Sequence, residues 1–311
     1  EGRALVWRRS GDQVRCERAR FRPWLFAASL DDLAHLGPRL AAAETPAAAH
    51  ALITYRELEG PPDSYRFLLE ASSGRALERA LLFGAHQRLG RSIASLYDLD
   101  DYYRVGAVEQ YLMQSGRVYF RAMAYTELHR MQIDFETTAL DPQRGRIFMA
   151  AVRDTQGLAL TLDAPSPADE AALIADLCAL VRSRDPDVIE NHNLFGFDLP
   201  FLEARAARLG VQLNLGRAPG PRLLERYSDM PASYYSGRRR ERFTVAGREL
   251  IDTMDAVRRH DFVARDLPSH RLKDVARHFG VAGPERVYIP GAQVYATFQT
   301  DPDRVRQYAL D

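Results

Sequence analysis

Between residues 131 and 209 the chain follows a fixed order: three short apolar runs, an amphipathic helix, one more apolar run and a second helix. No other feature of the sequence constrains the fold as tightly. Met131–Phe135, Arg146–Val152 and Leu158–Leu162 read as strands, separated by the turns Ala139–Gly145 and Asp154–Gly157. Strands joined this closely pair antiparallel, as a meander. The helix that follows opens at Ser166-Pro167 with Asp169 at capping-box spacing. Its Leu173, Ile174, Leu177, Leu180 and Val181 recur at helical spacing, so one face is buried, and Pro186 closes it. Val188–Asn191 is the next strand, and Asp198–Leu209 the next helix, with Pro200 in its first turn. The expected class is α/β with a mixed sheet.

The residues before this core read as a separate, smaller mixed α/β domain. Ala4–Arg9 and Val14–Phe21 flank the turn Ser10-Gly11-Asp12, and Ala51–Leu58 and Tyr65–Ala71 are two further strands. Arg75–Leu89 is helical, with Leu77, Ala80, Leu81 and Ala85 on one face. No catalytic constellation occurs here, so a scaffold or binding role is expected. The division is placed at residues 1–127 and 128–311, which suits roughly 150 residues per domain. The chain starts at Glu1 and stops at Asp311, and it is expected to be a piece of something longer.

Composition removes several function classes. A hydrophobic share of 46% with 27% charged residues is that of a globular protein and not of a disordered one. The apolar runs are too short to span a bilayer, so no membrane partner is expected. Cys16 and Cys178 have neither a CxxC partner nor histidines at zinc spacing; they are expected as buried or semi-buried thiols in a reducing cytoplasm. Net charge is zero, which excludes a polycation that binds nucleic acid by charge alone. Of the 42 basic residues only Lys273 is lysine, and no Gly-Lys-Ser/Thr exists, so a phosphate-binding P-loop is excluded. GxSxG, HExxH and GxGxxG are also absent. Charge is uneven, however. Between Glu203 and Arg248 ten arginines meet four acids, peaking at Arg238, Arg239, Arg240 and Arg242. Such a run is a solvated hairpin tip or, beside a site, a phosphate contact.

The chemistry rests on carboxylates. Asp134 and Glu136 lie two apart on a strand and project from the same face. Two like charges there are costly unless a cation compensates them, and Mg²⁺ or Mn²⁺ with hard oxygen ligands fits that need. Asp198 opens a helix and reads either as an N-cap or as a further metal ligand. His192 has no second histidine at ligand spacing and is read as structural. Tyr308 falls in a helical segment, Asp303–Leu310.

Meander, helix, strand and helix are the ground plan of an RNase H-like nuclease core. In order and spacing, Met131–Leu140, Asp187–Leu202 and Val305–Asp311 resemble the three exonuclease motifs of family B DNA polymerases. The first motif is matched by Asp134-Phe135-Glu136-Thr137, and the second by Asn193, Phe197 and Asp198. Gly247–Asp252 and Leu267–Ala276 look like the stretch between the second and third motifs, and Val108–Leu112 like the end of the family's N-terminal domain. The third motif is tyrosine, three residues, then aspartate; from Tyr308 that aspartate falls at position 312. Asp311 stands one residue early, about 100° away around the helix.

The resemblance implies 3′–5′ hydrolysis of single-stranded or frayed DNA ends, as the proofreading part of a polymerase. It implies two Mg²⁺ or Mn²⁺ ions held by Asp134, Glu136, Asp198 and a fourth acid beyond Asp311, with Tyr308 orienting the attacking water. Thr137, Asn193 and Phe197 would bind the substrate end. A polymerase domain would follow in the same natural chain, and this piece alone would have low activity. Two alternatives stay open: a stand-alone four-carboxylate nuclease, and a non-catalytic nucleic-acid-binding module.

Overall fold

The computed structural model describes residues 2–11, 13–61, 64–218, 224–229, 240–283 and 286–311, in two compact units, Glu1–Ala122 and Met123–Asp311. In the first unit, β1 (Arg3–Ser10) and β2 (Gln13–Arg20) form an antiparallel two-stranded ribbon. Neither face of such a ribbon is covered along its length, and Cys16 is therefore exposed, contrary to the expectation of a buried or semi-buried thiol, whereas Cys178 is buried as expected. A second sheet contains β3 (Trp24–Ala27), β4 (Leu40–Ala42), β5 (Ile53–Glu57), β6 (Phe67–Ala71) and β7 (Tyr102–Tyr103), in the order β4-β5-β6-β3-β7. The helix α1 (Gly74–Leu89) buries Leu77, Ala80, Leu81 and Ala85, the face read from the sequence. Ser73 caps its start and left-handed Gly90 its end. α2 (Ala107–Ser115) is joined to β3 by Gln110, whose side-chain oxygen accepts from Trp24 N at 3.0 Å.

In the second unit the meander is β8 (Arg130–Thr137), β9 (Ile147–Asp154) and β10 (Ala159–Asp163). After a short 3₁₀ turn comes α3 (Glu170–Arg184), then β11 (Val188–Asn191) and α4 (Leu199–Leu209). Ser166 N donates to Asp169 Oδ2 at 2.9 Å, the capping contact expected there. β12 (Leu224–Asp229) and β13 (Arg240–Val245) pair antiparallel, followed by β14 (Glu249–Asp252), α5 (Thr253–Ala264), α6 (Leu272–His278), α7 (Val294–Thr300) and α8 (Pro302–Leu310). The main sheet runs β10-β9-β8-β11-β14. Its meander is antiparallel, while β11 is parallel to both β8 and β14, so the fold is α/β with a mixed sheet. Among the described residues no helix is long and apolar enough to cross a membrane.

Alternation along β8 sends Met131, Ile133 and Phe135 into the core and Gln132, Asp134 and Glu136 to the opposite face. That core includes Leu173, Ile174, Leu177 and Val181 of α3 with Phe201 and Leu202 of α4. β9 is buried along most of its length, because Phe148 and Met149 pack in a separate cluster with Val294, Phe298 and Val305 of α7 and α8. This is why Ile147–Val152 is an unbroken apolar run.

One buried pair ties the helices to the sheet. Glu170, fully buried at the start of α3, takes Arg205 of α4 in a two-pronged grip at 2.8 and 2.6 Å, and also accepts from Ile147 N of β9 at 2.8 Å. Arg205→Leu leaves that carboxylate buried without its cation. It is expected to cost about 3–5 kcal/mol, read as a lower urea midpoint at unchanged m-value. Adding Glu170→Met to the same chain is expected to recover most of the loss.

Candidate functional site

β8 ends in a bulge between Glu136 and Thr137. Beside it, β11 ends at Asn191, whose Nδ2 donates to Asp134 Oδ1 at 3.1 Å and whose amide favours the charged form of Asp198 against its burial. Asp198 is buried, with 2% of its surface exposed. It is not a helix cap, for its side chain makes no capping bond. Instead it closes a π turn, Leu194–Asp198, that runs directly into α4. A wide turn of this kind re-aims the residues it contains.

The turn is held by Asp252, the residue that ends β14 and caps α5. Its carboxylate accepts from Asn193 N at 2.9 Å, Phe195 N at 3.1 Å and Met254 N at 3.0 Å. Asn193 takes a left-handed φ of 70°, and its carbonyl accepts from Gly196 N and Phe197 N. A Cβ at Gly196 would meet Asn193 Oδ1 at 2.2 Å, so any larger residue there would push the Asn193 side chain aside. His192 braces the same loop: Nε2 donates to His270 O at 2.8 Å, which leaves Nδ1 to accept from the Thr253 hydroxyl at 3.2 Å.

The acids sense one another. Asp134 is open to solvent on one side, but protein crowds its flanks, and that desolvation pushes its carboxyl above the usual range. Burial and then the charge of Asp134 push Glu136 up to about 8. Burial and then Asp134 hold Asp198 well above the ordinary value. Asp198 Oδ1 is buried with no hydrogen-bond partner in the protein.

Tyr308, on α8, joins this group. Burial, then Glu136 and Asp134, push its phenol up to about 12, so it stays protonated at neutral pH. Its oxygen accepts from Lys273 Nζ at 3.2 Å, and that ammonium also lies 4.7 Å from the centre of the Tyr288 ring. Lys273 offsets the negative charge at Glu136.

The structure therefore brings Asp134, Glu136, Asp198 and Tyr308 into one electrostatic group. Thr137 follows at the bulge, Asn193 shapes the π turn, and Phe197 packs against Phe201 with ring centroids 5.4 Å apart. Asp311 turns elsewhere: its Oδ2 accepts from Val287 N at 2.8 Å. Of the basic tip, Arg238 and Arg239 lie outside the described residues. The side chains of Arg240 and Arg242 also lie outside what is described, and four other arginines of that segment are structural. Arg205 holds Glu170, Arg217 and Arg248 hold Asp185, and Arg208 donates to Gln143 O.

Hard carboxylate oxygens, one of them without a partner, suit a divalent cation. The three acids are nevertheless spread wider than one tight ligand cluster. Among the described residues only His260, Asp266 and His278 offer three ligand atoms all within 4.8 Å of one another.

A model of the DNA polymerase family B exonuclease domain matches residues 128–275. A DNA polymerase of Pyrococcus glycovorans is 26% identical over 221 residues, 67% of this chain and 26% of that protein. DNA polymerase 2 of Aeropyrum pernix is 31% identical over 178 residues, 55% of this chain and 19% of its own. Residues 128–275 carry the exonuclease domain of family B DNA polymerases. A solved family B DNA polymerase from Pyrobaculum calidifontis shares the fold, with a TM-score of 0.65 at 24% identity, over 100% of this chain and 44% of that one. The chain spans about a quarter of the length of the Pyrococcus polymerase.

Three residues of the exonuclease domain escaped the sequence reading: Asn191, Asp252 and Lys273. Asn191 and Asp252 each end a strand, where a polar residue draws no attention. Lys273 carried a signal, being the only lysine in the chain.

With Glu136 raised to about 8, the folded metal-free domain keeps a proton that the unfolded chain loses near its ordinary 4.5. Metal-free stability is therefore expected to fall as pH rises from about 4.5 to about 8, and Glu136→Gln to flatten that slope. Asp134→Asn relieves both other acids. It is expected to raise the metal-free Tm, at about 2–4 °C per kcal/mol relieved, while reducing the gain in Tm on adding Mn²⁺. Thermal melts across pH, with and without Mn²⁺, check both expectations.

Proposed function

We propose that this exonuclease domain hydrolyses nucleotides from the 3′ end of single-stranded or frayed DNA, as the proofreading portion of a family B DNA polymerase. The observation that carries the reading is a group of oxygen-only acids and a protonated tyrosine, on β8, at the close of the π turn that follows β11, and on α8. An RNase H-like core is the matching fold assignment. Its support is a five-stranded sheet with the meander on one side of β11 and β14 on the other, and the first two acids on the central strand.

The reaction breaks the bond between phosphorus and the 3′ oxygen of the penultimate nucleotide. Water oxygen becomes bonded to phosphorus, and the leaving 3′ oxygen gains a proton. Asp134, Glu136 and Asp198 would hold Mg²⁺ or Mn²⁺ through their carboxylate oxygens. Bound there, the metals would activate the water and neutralise charge on the leaving oxygen. The oxygen of Tyr308 already accepts from Lys273, so its own O–H is free to position the attacking water.

Lys273 keeps positive charge near the acids and fixes the phenol. Thr137, Asn193 and Phe197, on the segments that carry the acids, are the proposed contacts with the terminal nucleotide. An unstacked base lies readily on an aromatic ring, which selects frayed ends without reading sequence. The named relatives are DNA polymerases, which supports a polymerase domain in the same natural chain. The fourth acid is assigned four residues after Tyr308, on the same helix face.

The test is degradation of a 3′-labelled single-stranded oligonucleotide in Mg²⁺ by the chain extended one or two helical turns past Asp311. Asp198→Asn is expected to slow it by roughly 10²–10³-fold and Tyr308→Phe by less, while Asp311→Ala leaves the rate unchanged. Equal rates for Asp198→Asn and the parent would remove Asp198 from the site. Tight oligonucleotide binding with no cleavage by the parent would favour a non-catalytic binding module.

A further inference from the structure

A second set of ligand atoms lies outside the carboxylate group. His260 sits in the last turns of α5, Asp266 directly follows that helix's left-handed C-cap Arg265, and His278 ends α6. His260 Nε2 is 3.1 Å from Asp266 Oδ1, and His278 Nε2 is 3.2 Å from Asp266 Oδ2. One ligand atom from each of the three lies within 4.8 Å of the others. Phe279 meets both imidazoles edge-on, at 5.1 Å and 71° for His260 and 5.0 Å and 89° for His278. Its ring limits how either imidazole can turn.

A single histidine would satisfy this carboxylate. Here two, from two helices, aim the same ring nitrogen at its two oxygens. The separations are close to those of ligands around one small ion. Metal–ligand bonds of about 2.0–2.2 Å in a tetrahedron place neighbouring ligand atoms about 3.4 Å apart. The 3.1 and 3.2 Å contacts run to the two different oxygens of Asp266, and one atom from each residue lies within 4.8 Å of the others, so a small inward turn of these exposed side chains would reach that spacing. Two imidazoles and one carboxylate form a softer set than the all-oxygen group of the exonuclease site, and imidazole selects zinc-class transition ions over Mg²⁺. Each neutral imidazole would carry its proton on Nδ1, leaving the Nε2 lone pair to the ion. The side chains are 38%, 45% and 29% exposed, so water can fill the fourth position.

We propose that His260, Asp266 and His278 form a binding site for a zinc-class divalent transition ion that clamps α5 to α6. The clamp would act beside the exonuclease acids. α6 carries Lys273, and the loop that the ion would close contains His270, whose carbonyl receives His192 of the π-turn loop at 2.8 Å. The same loop is already stitched from within: Asp261 accepts from His270 Nε2 at 2.7 Å and from Leu267 N at 3.2 Å. The role is structural, and the site is independent of the Mg²⁺ chemistry proposed above.

The experiment titrates the metal-stripped 311-residue chain with Zn²⁺, Co²⁺ and Mg²⁺, following Tm and the visible absorption of Co²⁺. Zn²⁺ at one equivalent is expected to raise Tm, and Co²⁺ to give the visible band of a four-coordinate ion. A hundredfold excess of Mg²⁺ is expected to displace neither. His260→Gln and His278→Gln are each expected to weaken Zn²⁺ binding at least tenfold and to remove the cobalt band, with a metal-free Tm near the parent's. Asp134→Asn is expected to leave the Zn²⁺ response in place. A Zn²⁺ affinity unchanged in the double histidine variant would overturn the proposal. So would a Zn²⁺ response abolished by Asp134→Asn, which would place the ion among the exonuclease acids. Absence of any Zn²⁺ effect on the parent would leave a hydrogen-bonded His–Asp–His network and no metal site.

Discussion

Three carboxylates gathered at one end of the sheet in surroundings crowded by protein repel one another, and the exonuclease domain is built to keep them there. Asp134 and Glu136 are fixed by the strand they stand on, whose other face is anchored in the core by Met131, Ile133 and Phe135. Asp198 comes from a different segment and must be driven in. Asn191 bonds Asp134 and favours the charged form of Asp198, and Asp252 gathers three backbone N–H groups of the loop and of α5. The Glu170–Arg205 pair fastens α4, the helix that Asp198 leads into, to α3 and β9. What remains unbalanced is local and negative, and it raises the acids' affinity for protons or for a cation alike.

The division of cationic work follows from side-chain chemistry. Arginine offers a planar fork that grips carboxylates with two bonds, and the chain uses it inside the fold: Arg205 on Glu170, Arg217 across Asp185 and Asp187, and Arg248 on Asp185. These pairs take up three of the ten arginines that the segment 203–248 shows in sequence. Lysine is a compact point charge on a flexible stem, and the single lysine is the one that faces the acids and Tyr308. A guanidinium there would seek a carboxylate to grip with both prongs and compete with a metal for the same oxygens.

Much of this was legible in the sequence because it obeys simple periods. Period-two alternation placed Asp134 and Glu136 on one face, and the helical spacing of Leu173, Ile174, Leu177 and Val181 found the buried face of α3. Apolar period says nothing about a π turn, so Asp198 read equally well as a helix cap. Nor does it reveal Asp252, whose three bonds run mainly to residues about 57–59 positions earlier in the chain. Cys16 failed for another reason. Strand pattern does not show whether a ribbon is covered by a third layer, and this one is open.

The π turn explains why Asp198 reads as a cap yet is not one. A cap side chain folds back onto the first N–H groups of its own helix. Here the wide turn passes Asp198 into helical backbone one step before α4 starts, at φ −62° and ψ −53°, and its side chain makes no capping bond. Pro200, in the first turn, has no N–H to be capped, which lowers the need for one. The carboxylate is thereby free of its own helix, and one of its oxygens remains without a protein partner. A buried oxygen in that state is costly unless function uses it, and the neighbouring acids make a cation the partner that would remove the cost.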